Sequence, residues 1–564
     1  MWRALRRQGV RALLMVSQQV RQVTGCLPPY GILKVSLSGE LSEQQSEPRL
    51  LSFFRRSADD YCNTLGVLRW ARRDPRLRGV LVRCDDLRIG WGRSQELRRL
   101  LLSLRQAGKL VWVFLTHAGV REYLLASAAD RIILAPAGTL DITGLSSEVT
   151  FLFGTLEKVG IEAEIIQMGR YKSMGEMFTR RNMSEPHREM IESLVDDLYT
   201  QLVDAMATGR NMGARDVRER LDRGPFLGRE ALAEGLVDSL AYEDEAETAL
   251  RRACDDAKVI DFHDYFVRRG REVHAEVLRQ GRASLAMLSL GGTVKMGDSV
   301  SGPEGAAACG AASFTRDLKE VRERKDISAV VLRVSSPGGS GLASDLIWRE
   351  VSRTREVKPV VVSFGDVAAS GGYYVGVAGS PIFAEGGTLT GSIGVVAGKA
   401  NLNGLYRRVG ITKETVSRGR HAALHSSYIP LTDEDRERLR VQAEGFYRDF
   451  VAKVASGRKL SEQAVDEAGE GRVWTGRQAW ARGLVDQLGG LEQALEEARR
   501  LVGIPEGEMV AVERYPKPRR LFRLSFDLSR PRGQLSELLT QASSWQFLVS
   551  ERLWAILPLH FRFF

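Results

Sequence analysis

Several short segments of this chain recur about 250 residues further along. The matched pairs are Gly79–Arg83 with Ala329–Arg333, Leu110–Phe114 with Val360–Phe364, and Gly235–Asp238 with Gly483–Asp486. The first two pairs are 250 residues apart and the third is 248 apart, as a small deletion between them would produce. Self-similarity at a fixed spacing indicates repeated structural units. The chain of 564 residues is therefore predicted to be a tandem duplication of one lobe.

The pattern inside each lobe predicts an α/β fold. In the second lobe, the apolar runs Ser328–Val334 and Val360–Phe364 are separated by the amphipathic stretch Leu342–Val357. Such βαβ units form parallel sheets that are buried on both faces. Ser184 and Thr432, one in each lobe, precede long helical patterns as N-caps do. The predicted parts are a basic amphipathic leader (1–29), an N-terminal lobe (30–280), a C-terminal lobe (281–505), and a basic linker with an amphipathic tail (506–564).

Charge and cysteine content exclude some functions. Lysine and arginine (81) exceed aspartate and glutamate (71), for a net charge of +10, but no zinc-finger spacing or RNP-like motif accompanies the excess. Nucleic acid is therefore not expected as a partner. The five cysteines form no C-x-x-C pair and do not cluster with histidine. We therefore expect neither a disulfide framework nor a metal site.

Both termini carry apolar segments flanked by basic residues. The run Ala12–Val16 is too short to span a bilayer, which favours an amphipathic helix on a membrane surface. Val23–Cys26 faintly resembles a lipoprotein cleavage box, but the apolar lead-in of such a box is missing. Near the other end, Trp545–Leu557 is apolar at helical spacing. This spacing predicts a helix that docks on a core, on a neighbouring subunit or on a membrane surface.

A serine among small residues is the first candidate for chemistry. The strand Val360–Phe364 leads into Gly365–Tyr374, which places Ser370 at a strand-to-helix turn. The Gly371 amide at the start of a helix can face a developing oxyanion. Upstream, Arg333–Ser340 ends another strand with two glycines whose amides suit the same task. Taken alone, each glycine-rich turn is equally well explained as a tight strand-to-helix connection.

The two copies differ in complementary ways. The first-lobe counterpart of Ser370 is Val120, and Asp85–Ile89 replaces the glycine-bearing turn of the second lobe. Conversely, Lys172 in the first lobe has Ala422 as its second-lobe counterpart. Complementary losses of this kind are what a composite active site between the lobes would show.

Five motifs together resemble one peptidase family. They are Ser336–Ser340, Ala368–Tyr373, Thr390–Val395, Gly471–Arg477 and Gly483–Asp486. In this order and spacing they look like the long, duplicated form of the signal peptide peptidase A (protease IV) family, over roughly residues 30 to 500. The resemblance implies a crotonase-like fold akin to Clp protease, a Ser-Lys dyad in place of a Ser-His-Asp triad, and no cofactor.

The resemblance also implies roles for individual residues. A lysine acts as a base only when neutral, so its pKa must be lowered, and burial in an apolar cleft between lobes would do this. The implied roles are Ser370 as nucleophile, Lys172 as general base, Ser392 as the hydroxyl that orients the lysine, Gly371 and Gly339 as the oxyanion hole, and Gly338 and Gly372 as substrate-binding residues.

Other interpretations of these residues remain open at this point. Lys172 is alternatively an ordinary surface lysine, and Ser392 a turn hydroxyl. His421 lies in the same lobe as Ser370 and is a rival base, although the sequence reveals no acid to orient it. For the whole chain, the alternatives are a catalytically silent crotonase-like scaffold and an acyl-CoA-type crotonase enzyme.

The family resemblance also predicts partners and location. It implies a homo-oligomer, commonly a tetramer, whose inner chamber admits cleaved signal peptides or other membrane-proximal apolar peptides in extended form. By the same analogy the protein is expected at the periplasmic face of a bacterial inner membrane, with a membrane surface as partner. The leader departs from the family pattern because it lacks a membrane-spanning anchor, which leaves the cytoplasm as the alternative.

Overall fold

The computed structural model describes residues 30–43, 60–280, 284–300, 307–505, 508–517, 553–556 and 562–563. The predicted leader (1–29), with Cys26, lies outside the described residues, as do residues 545–552 of the predicted tail helix. Within the described ranges, no helix combines the length and the apolar character that a membrane span requires.

The first lobe is built on a mainly parallel sheet flanked by helices. Its strands are β1 (Tyr30–Gly39), β2 (Gly79–Leu87), β3 (Leu110–Gly119), β4 (Arg131–Asp141), β5 (Ser147–Glu148), β6 (Glu162–Met168), β7 (Phe226–Leu227), β8 (Ser239–Leu240) and β9 (Lys258–Asp261). Its helices are α1 (Tyr61–Arg73), α2 (Trp91–Gln106), α3 (Val120–Ala126), α4 (Phe153–Val159), α5 (Glu176–Thr179), α6 (Glu185–Arg210), α7 (Ala214–Leu221), α8 (Gly228–Ala233), α9 (Glu243–Ala253) and α10 (Phe262–Gln280). The sheet order is β7-β4-β3-β2-β1-β9, with β8 beside β4.

The second lobe repeats this plan. Its strands are β10 (Ser284–Gly291), β11 (Thr293–Lys295), β12 (Ala308–Gly310), β13 (Ile327–Ser336), β14 (Gly338–Ser340), β15 (Val360–Ala369), β16 (Ile382–Ala384), β17 (Leu389–Gly391), β18 (Val395–Asn401), β19 (Val473–Thr475), β20 (Gln487–Leu488) and β21 (Val512–Tyr515); the tail adds β22 (Leu553–Ile556) and β23 (Arg562–Phe563). Its helices are α11 (Ala311–Glu323), α12 (Gly341–Arg355), α13 (Gly371–Gly376), α14 (Asn403–Arg408), α15 (Asp433–Arg458), α16 (Glu462–Ala468), α17 (Gly476–Ala481) and α18 (Leu491–Leu501). The main sheet runs β19-β17-β15-β13-β10-β21.

The duplication extends to individual elements. The ten-residue strands β3 and β15 start 250 residues apart, and α6 and α15 are both 26 residues long. Ser184 and Thr432 cap these two helices: each hydroxyl accepts a hydrogen bond from the backbone N–H three residues on. The predicted α/β class, the duplication and both N-caps are therefore confirmed.

A third sheet joins the two lobes. Its order is β12-β11-β14-β22-β18-β6, and β6 of the first lobe runs antiparallel to β18 of the second, with Met168 opposite Val395. Buried charges also cross the interface. Arg333 lies at 1% exposure, with one guanidinium nitrogen 2.6 Å from Glu43 Oε1 and 2.9 Å from Glu96 Oε2. The lobes are thus held in register by backbone pairing and by a buried ionic cluster.

The tail departs from the sequence prediction. The helical spacing of 545–557 predicts a helix, but Leu553–Ile556 form strand β22. This strand has a neighbour on each side, β14 and β18, and such pairing satisfies backbone groups that a helix would satisfy internally. The helix prediction is therefore wrong for these four residues.

Candidate active site

Ser370 occupies a sharp turn between β15 and α13. Its backbone angles are φ 53° and ψ −115°, a conformation that non-glycine residues rarely adopt and that costs about 1–3 kcal/mol. Hydrogen bonds hold the turn on both sides: Ser370 N–H donates to the Gly391 carbonyl at 2.8 Å, and Tyr374 N–H donates to the Ser370 carbonyl at 2.8 Å. The predicted strand-to-helix turn is present, and the surrounding sheet maintains its strained backbone.

Lys172 reaches the serine because β6 pairs with β18. The lysine follows the last residue of β6, Met168, by four positions, and Ser392 precedes the first residue of β18, Val395, by three. Met168 and Val395 are opposite each other in this pair of strands. Lys172 and Ser392 therefore lie beyond the same end of it. Two segments about 220 residues apart in the chain are thus brought together by one antiparallel ladder.

Two glycines of the second lobe make room for the lysine. A β-carbon added at Gly471 would lie 2.5 Å from Lys172 Cβ, and one added at Gly394 would lie 3.1 Å from Lys172 Cδ. The adjoining backbone also bonds across the interface, since Tyr171 N–H donates to the Glu470 carbonyl at 2.7 Å. Gly471 stands in a motif recognised from sequence, but its role as a wall of the lysine site was not predicted.

The amine of Lys172 contacts both predicted serines. Its Nζ lies 2.8 Å from Ser370 Oγ, 2.9 Å from Ser392 Oγ and 3.1 Å from the Ser392 carbonyl oxygen. All three residues have 0% exposure. The interpretation of Lys172 as a surface lysine is therefore excluded, and Ser392 is in hydrogen-bond contact with the amine.

The surroundings of Lys172 favour its neutral form. Burial lowers the pKa of Lys172 well below its ordinary value of 10.5. An amine with a lowered pKa can accept a proton near neutral pH, and a separation of 2.8 Å from a hydroxyl is within the reach of direct proton transfer. The lysine is thus both electrostatically and geometrically suited to act as a base toward Ser370.

Backbone hydrogen bonds hold Ser392 in place, as they do Ser370. Ser392 has φ 51°, again in the left-handed region, and its N–H donates to the Arg472 carbonyl at 2.7 Å. Gly471 N–H donates to the Ile393 carbonyl at 2.7 Å. These bonds fix the backbone that positions the Ser392 carbonyl oxygen and Oγ next to the lysine amine.

The candidate oxyanion glycines lie on the strands beside Ser370. In the pairing of β13 with β15, Ser336 is opposite Ala368, which brings the turn at Gly338 and Gly339 next to the serine turn. Gly339 has φ +154°, and a β-carbon there would lie 2.0 Å from the Val294 carbonyl oxygen, so this position admits only glycine. Gly371 and Gly372 form the start of α13 and are buried.

The corresponding turn of the first lobe is filled by a carboxylate. One Glu122 oxygen accepts a hydrogen bond from Leu87 N–H at 2.7 Å, and the other accepts one from Gly119 N–H at 3.1 Å. Val120 begins α3 where Ser370 stands in the second lobe. The carboxylate of Glu122 thus links the ends of strands β2 and β3 in this copy, a contact that sequence comparison did not reveal.

His421 differs from its sequence interpretation. The sequence reveals no orienting acid, but His421 Nδ1 lies 2.7 Å from Asp435 Oδ1, in the first turn of α15. That interpretation is therefore wrong, because the acid becomes a neighbour only when the loop before α15 folds back on the helix. The hydrogen bond of the Ser370 hydroxyl, however, is with Lys172.

No group of three or more histidine, cysteine, aspartate or glutamate side chains in the described ranges is arranged to hold a metal ion. The site contains one amine in hydrogen-bond contact with two hydroxyls. Chemically, this arrangement can activate a serine oxygen for attack on a carbonyl carbon.

Comparison with known proteins identifies the family. The model of "Peptidase family S49" matches residues 103–257 and 352–505, once in each lobe. The chain is 34% identical over 526 residues to "Serine protease SPPA, chloroplastic" of Arabidopsis thaliana, covering 91% of this chain and 73% of that protein. It is 28% identical to "Protease 4" of Haemophilus influenzae, covering 82% and 75%. Among solved structures, a ClpP1 mutant from Listeria monocytogenes matches with a TM-score of 0.25 and 12% identity, covering 37% of this chain and 94% of that chain.

These matches agree with the family expected from the sequence motifs. The family model matches in both lobes, as the duplication requires, and the Arabidopsis relative spans nearly the whole chain. The predicted resemblance and the predicted enzyme class, a serine peptidase, are confirmed. The chain belongs to peptidase family S49.

Proposed function

We propose that this peptidase is a serine endopeptidase in which Ser370 is the nucleophile and Lys172 the general base. The observation that carries the proposal is the separation of 2.8 Å between Lys172 Nζ and Ser370 Oγ in a fully buried site. The lowered pKa of Lys172 supports it, because only the neutral amine can take the serine proton. The dyad is composite, with one partner from each lobe.

The proposed reaction runs in two stages. Lys172 takes the proton of the Ser370 hydroxyl as Oγ forms a bond to the peptide carbonyl carbon, and the amides of Gly371 and Gly339 stabilise the resulting oxyanion. The lysine ammonium then gives its proton to the leaving amine as the C–N bond breaks. A water molecule, deprotonated by the same lysine, hydrolyses the acyl-enzyme and restores Ser370. Ser392 keeps the amine aimed at Ser370 throughout.

For substrates, we propose apolar peptides in extended form, such as cleaved signal peptides. The relative named "Putative signal peptide peptidase SppA" in Enterococcus faecium, 35% identical over 189 residues, supports this class. Strand-like binding fits a site flanked by the strands β14 and β18. The homotetramer, the membrane-surface partner and the periplasmic location remain predictions.

The test compares four proteins: the wild type, Ser370→Ala, Lys172→Met and His421→Ala. Each is assayed for labelling by a fluorophosphonate probe and for cleavage of casein and of a synthetic signal peptide. We expect Ser370→Ala and Lys172→Met to lose at least about 10³-fold in kcat, as removal of either member of a catalytic pair does. His421→Ala serves as the control and should retain activity.

Different outcomes point to different functions. Full activity in Lys172→Met together with loss in His421→Ala would transfer the role of base to the histidine. Absence of both labelling and hydrolysis in the folded wild type would favour the silent scaffold. Turnover of an acyl-CoA that survives in Ser370→Ala would favour a crotonase-type enzyme.

A further inference from the structure

The side chain of Arg472 connects the two lobes next to the candidate active site. Its Nη1 lies 2.6 Å from Glu189 Oε1, on α6 of the first lobe. Its guanidinium carbon lies 4.6 Å from the centre of the Tyr171 ring, within the range of a cation–π contact. The Tyr171 hydroxyl in turn donates to Glu189 Oε2 at 3.0 Å. Arg472, Tyr171 and Glu189 therefore contact one another across the lobe interface, and we call them the Arg472 triangle.

The triangle adjoins the segments that carry both partners of the lysine site. Tyr171 directly precedes Lys172 in the chain, and its N–H donates to the Glu470 carbonyl at 2.7 Å. The Arg472 carbonyl accepts a hydrogen bond from Ser392 N–H at 2.7 Å. One residue of the second lobe thus contacts the base segment through its side chain and the orienting serine through its backbone.

Trp474 gives the Arg472 side chain a fixed surface on which to lie. The guanidinium carbon of Arg472 is 4.5 Å from the centre of a Trp474 ring. Trp474 is 4% exposed, and its Nε1 donates to the Ala468 carbonyl at 2.7 Å. In the pairing of β17 with β19, Trp474 is opposite Thr390. The guanidinium is therefore placed by a buried part of the second lobe, on the strand next to the one that leads into Ser392.

We propose that Arg472 is a positioning residue for the base: through Tyr171 it holds Lys172 where the amine reaches Ser370. This inference rests on the proposed endopeptidase function, since it concerns the same lysine. Burial is what lowers the pKa of Lys172, so Arg472 acts by keeping the lysine segment in place and closed to water.

An arginine suits this position better than a lysine does. The planar guanidinium can lie over aromatic rings and donate to a carboxylate at the same time. A lysine ammonium is a compact point charge, so it could pair with Glu189 without covering the Tyr171 and Trp474 rings in the same way. The proposal therefore predicts that lysine replaces Arg472 only in part.

Three variants remove different parts of the triangle. Arg472→Met keeps a long side chain and removes the cation, Arg472→Lys keeps the charge, and Tyr171→Leu removes the ring from the other lobe. Each is assayed with a fluorogenic apolar peptide for kcat, KM and the pH profile of kcat/KM, with Ser370→Ala as the blank. Circular dichroism and Tm report whether each protein is folded.

Two arginines beside the triangle provide matched controls. Arg482 lies 3.6 Å from the centre of a Trp474 ring, but its hydrogen bond is to the Gln478 carbonyl of its own lobe. Arg170 lies 5.4 Å from the centre of the Tyr171 ring, and both belong to the first lobe. Arg482→Met and Arg170→Met each remove a cation from one of the two rings without removing the link to Glu189.

The expected result is a loss in kcat with little change in KM. A displacement of about 1 Å at a reacting group costs roughly 100-fold, so kcat of Arg472→Met and of Tyr171→Leu should fall at least about tenfold. Arg472→Lys should regain part of that loss, and both controls should resemble the wild type. The double variant Arg472→Met/Tyr171→Leu should lose little more than either single variant, because both remove the same contact.

The pH profile separates positioning from a purely structural role. A lysine segment that has moved admits water, so the pKa of Lys172 should lie closer to its ordinary value of 10.5. The rising limb of kcat/KM should therefore move to higher pH in Arg472→Met. A variant that is merely less stable would lower Tm and leave kcat and this limb as they are in the wild type.

The two proposals fail in distinguishable ways. If hydrolysis depends on Ser370 but Arg472→Met keeps the kcat and the pH limb of the wild type, the positioning role is overturned and the endopeptidase remains. A rise in KM alone, or an equal loss of kcat in the two controls, overturns it as well. If Arg472→Met does not fold, Arg472→Lys and Tyr171→Leu decide by the same criteria. If no hydrolysis by the wild type depends on Ser370, the endopeptidase proposal fails and the positioning role falls with it.

Discussion

Gly471 of the second lobe lies directly against Lys172 of the first. A β-carbon added at Gly471 would be 2.5 Å from Lys172 Cβ and 2.6 Å from the Lys172 backbone nitrogen. The glycine also has φ +79°, which L side chains rarely adopt. The position of the proposed base thus depends on the absence of one side chain in the other lobe.

Gly471→Ala should therefore reduce activity by displacing the lysine. A displacement of about 1 Å at a reacting group costs roughly 100-fold in rate, so we expect kcat to fall by about that factor. Gly410→Ala is the matched control, because Gly410 has φ +76° with no atom within 4 Å of an added β-carbon. It carries the same backbone strain without the collision. Equal activity in the two variants would contradict a role for Gly471 in placing the base.

Ser392→Ala should lower kcat with little effect on KM. The hydroxyl of Ser392 lies 2.9 Å from the lysine amine, which becomes charged when it takes the serine proton. A hydrogen bond to a charged group contributes about 1.5–3 kcal/mol, which corresponds to roughly 10- to 100-fold in rate. Ser173→Ala is the control: its hydroxyl is also buried and next to Lys172 in sequence, but has no hydrogen-bond partner among the described residues. Steady-state kinetics of both variants would test this, and a large kcat loss in Ser173→Ala would argue against it.

The pH profile should report the lowered pKa of Lys172. Because burial holds that pKa well below 10.5, the lysine becomes neutral on raising the pH well before an exposed lysine would. We expect kcat/KM to rise with pH along a limb of unit slope and to level off well below pH 10.5. A limb that continues to rise up to pH 10.5 would mean that the lysine titrates as in water.

The same burial predicts that Lys172→Met stabilises the protein at neutral pH. Between the folded and unfolded pKa of Lys172, the unfolded chain binds the extra proton, so the native state becomes more stable as the pH rises through that interval. Methionine removes this penalty, so the variant should have the higher Tm at pH 7. The difference should shrink as the pH approaches 10.5. A lower Tm than wild type at pH 7 would contradict the prediction.

The ionic cluster around Arg333 should be important for stability. Arg333→Met leaves the buried carboxylates of Glu43 and Glu96 without their cation, a change that costs about 3–5 kcal/mol in buried pairs. The double variant Arg333→Met/Glu96→Gln should recover part of this loss. Chemical denaturation of the three proteins checks the prediction, and a single-variant loss below about 1 kcal/mol would refute it.

Sequence patterns alone predicted much of the site. The serine turn followed from small residues after an apolar strand. Lys172 followed from the family resemblance, which the absence of this lysine in the second copy supported. Contacts between distant segments had no such signal. Three contacts were missed: Asp435 beside His421, Glu122 in the first-lobe turn and the tail strand at Leu553–Ile556. Each joins segments that become neighbours only when the chain folds.

By itself, the sequence determined the duplicated α/β architecture, because repeats and apolar periodicity are patterns in the order of residues. Its family motifs, together with the unequal losses in the two copies, also identified the two proposed catalytic partners. Only the tertiary structure decided that Lys172 and Ser370 meet at 2.8 Å in a fully buried site. The physical reason is that this contact is set by the pairing of β6 with β18 and by the space that Gly471 leaves. Neither the register of a ladder between lobes nor the shape of a cavity can be read from local sequence.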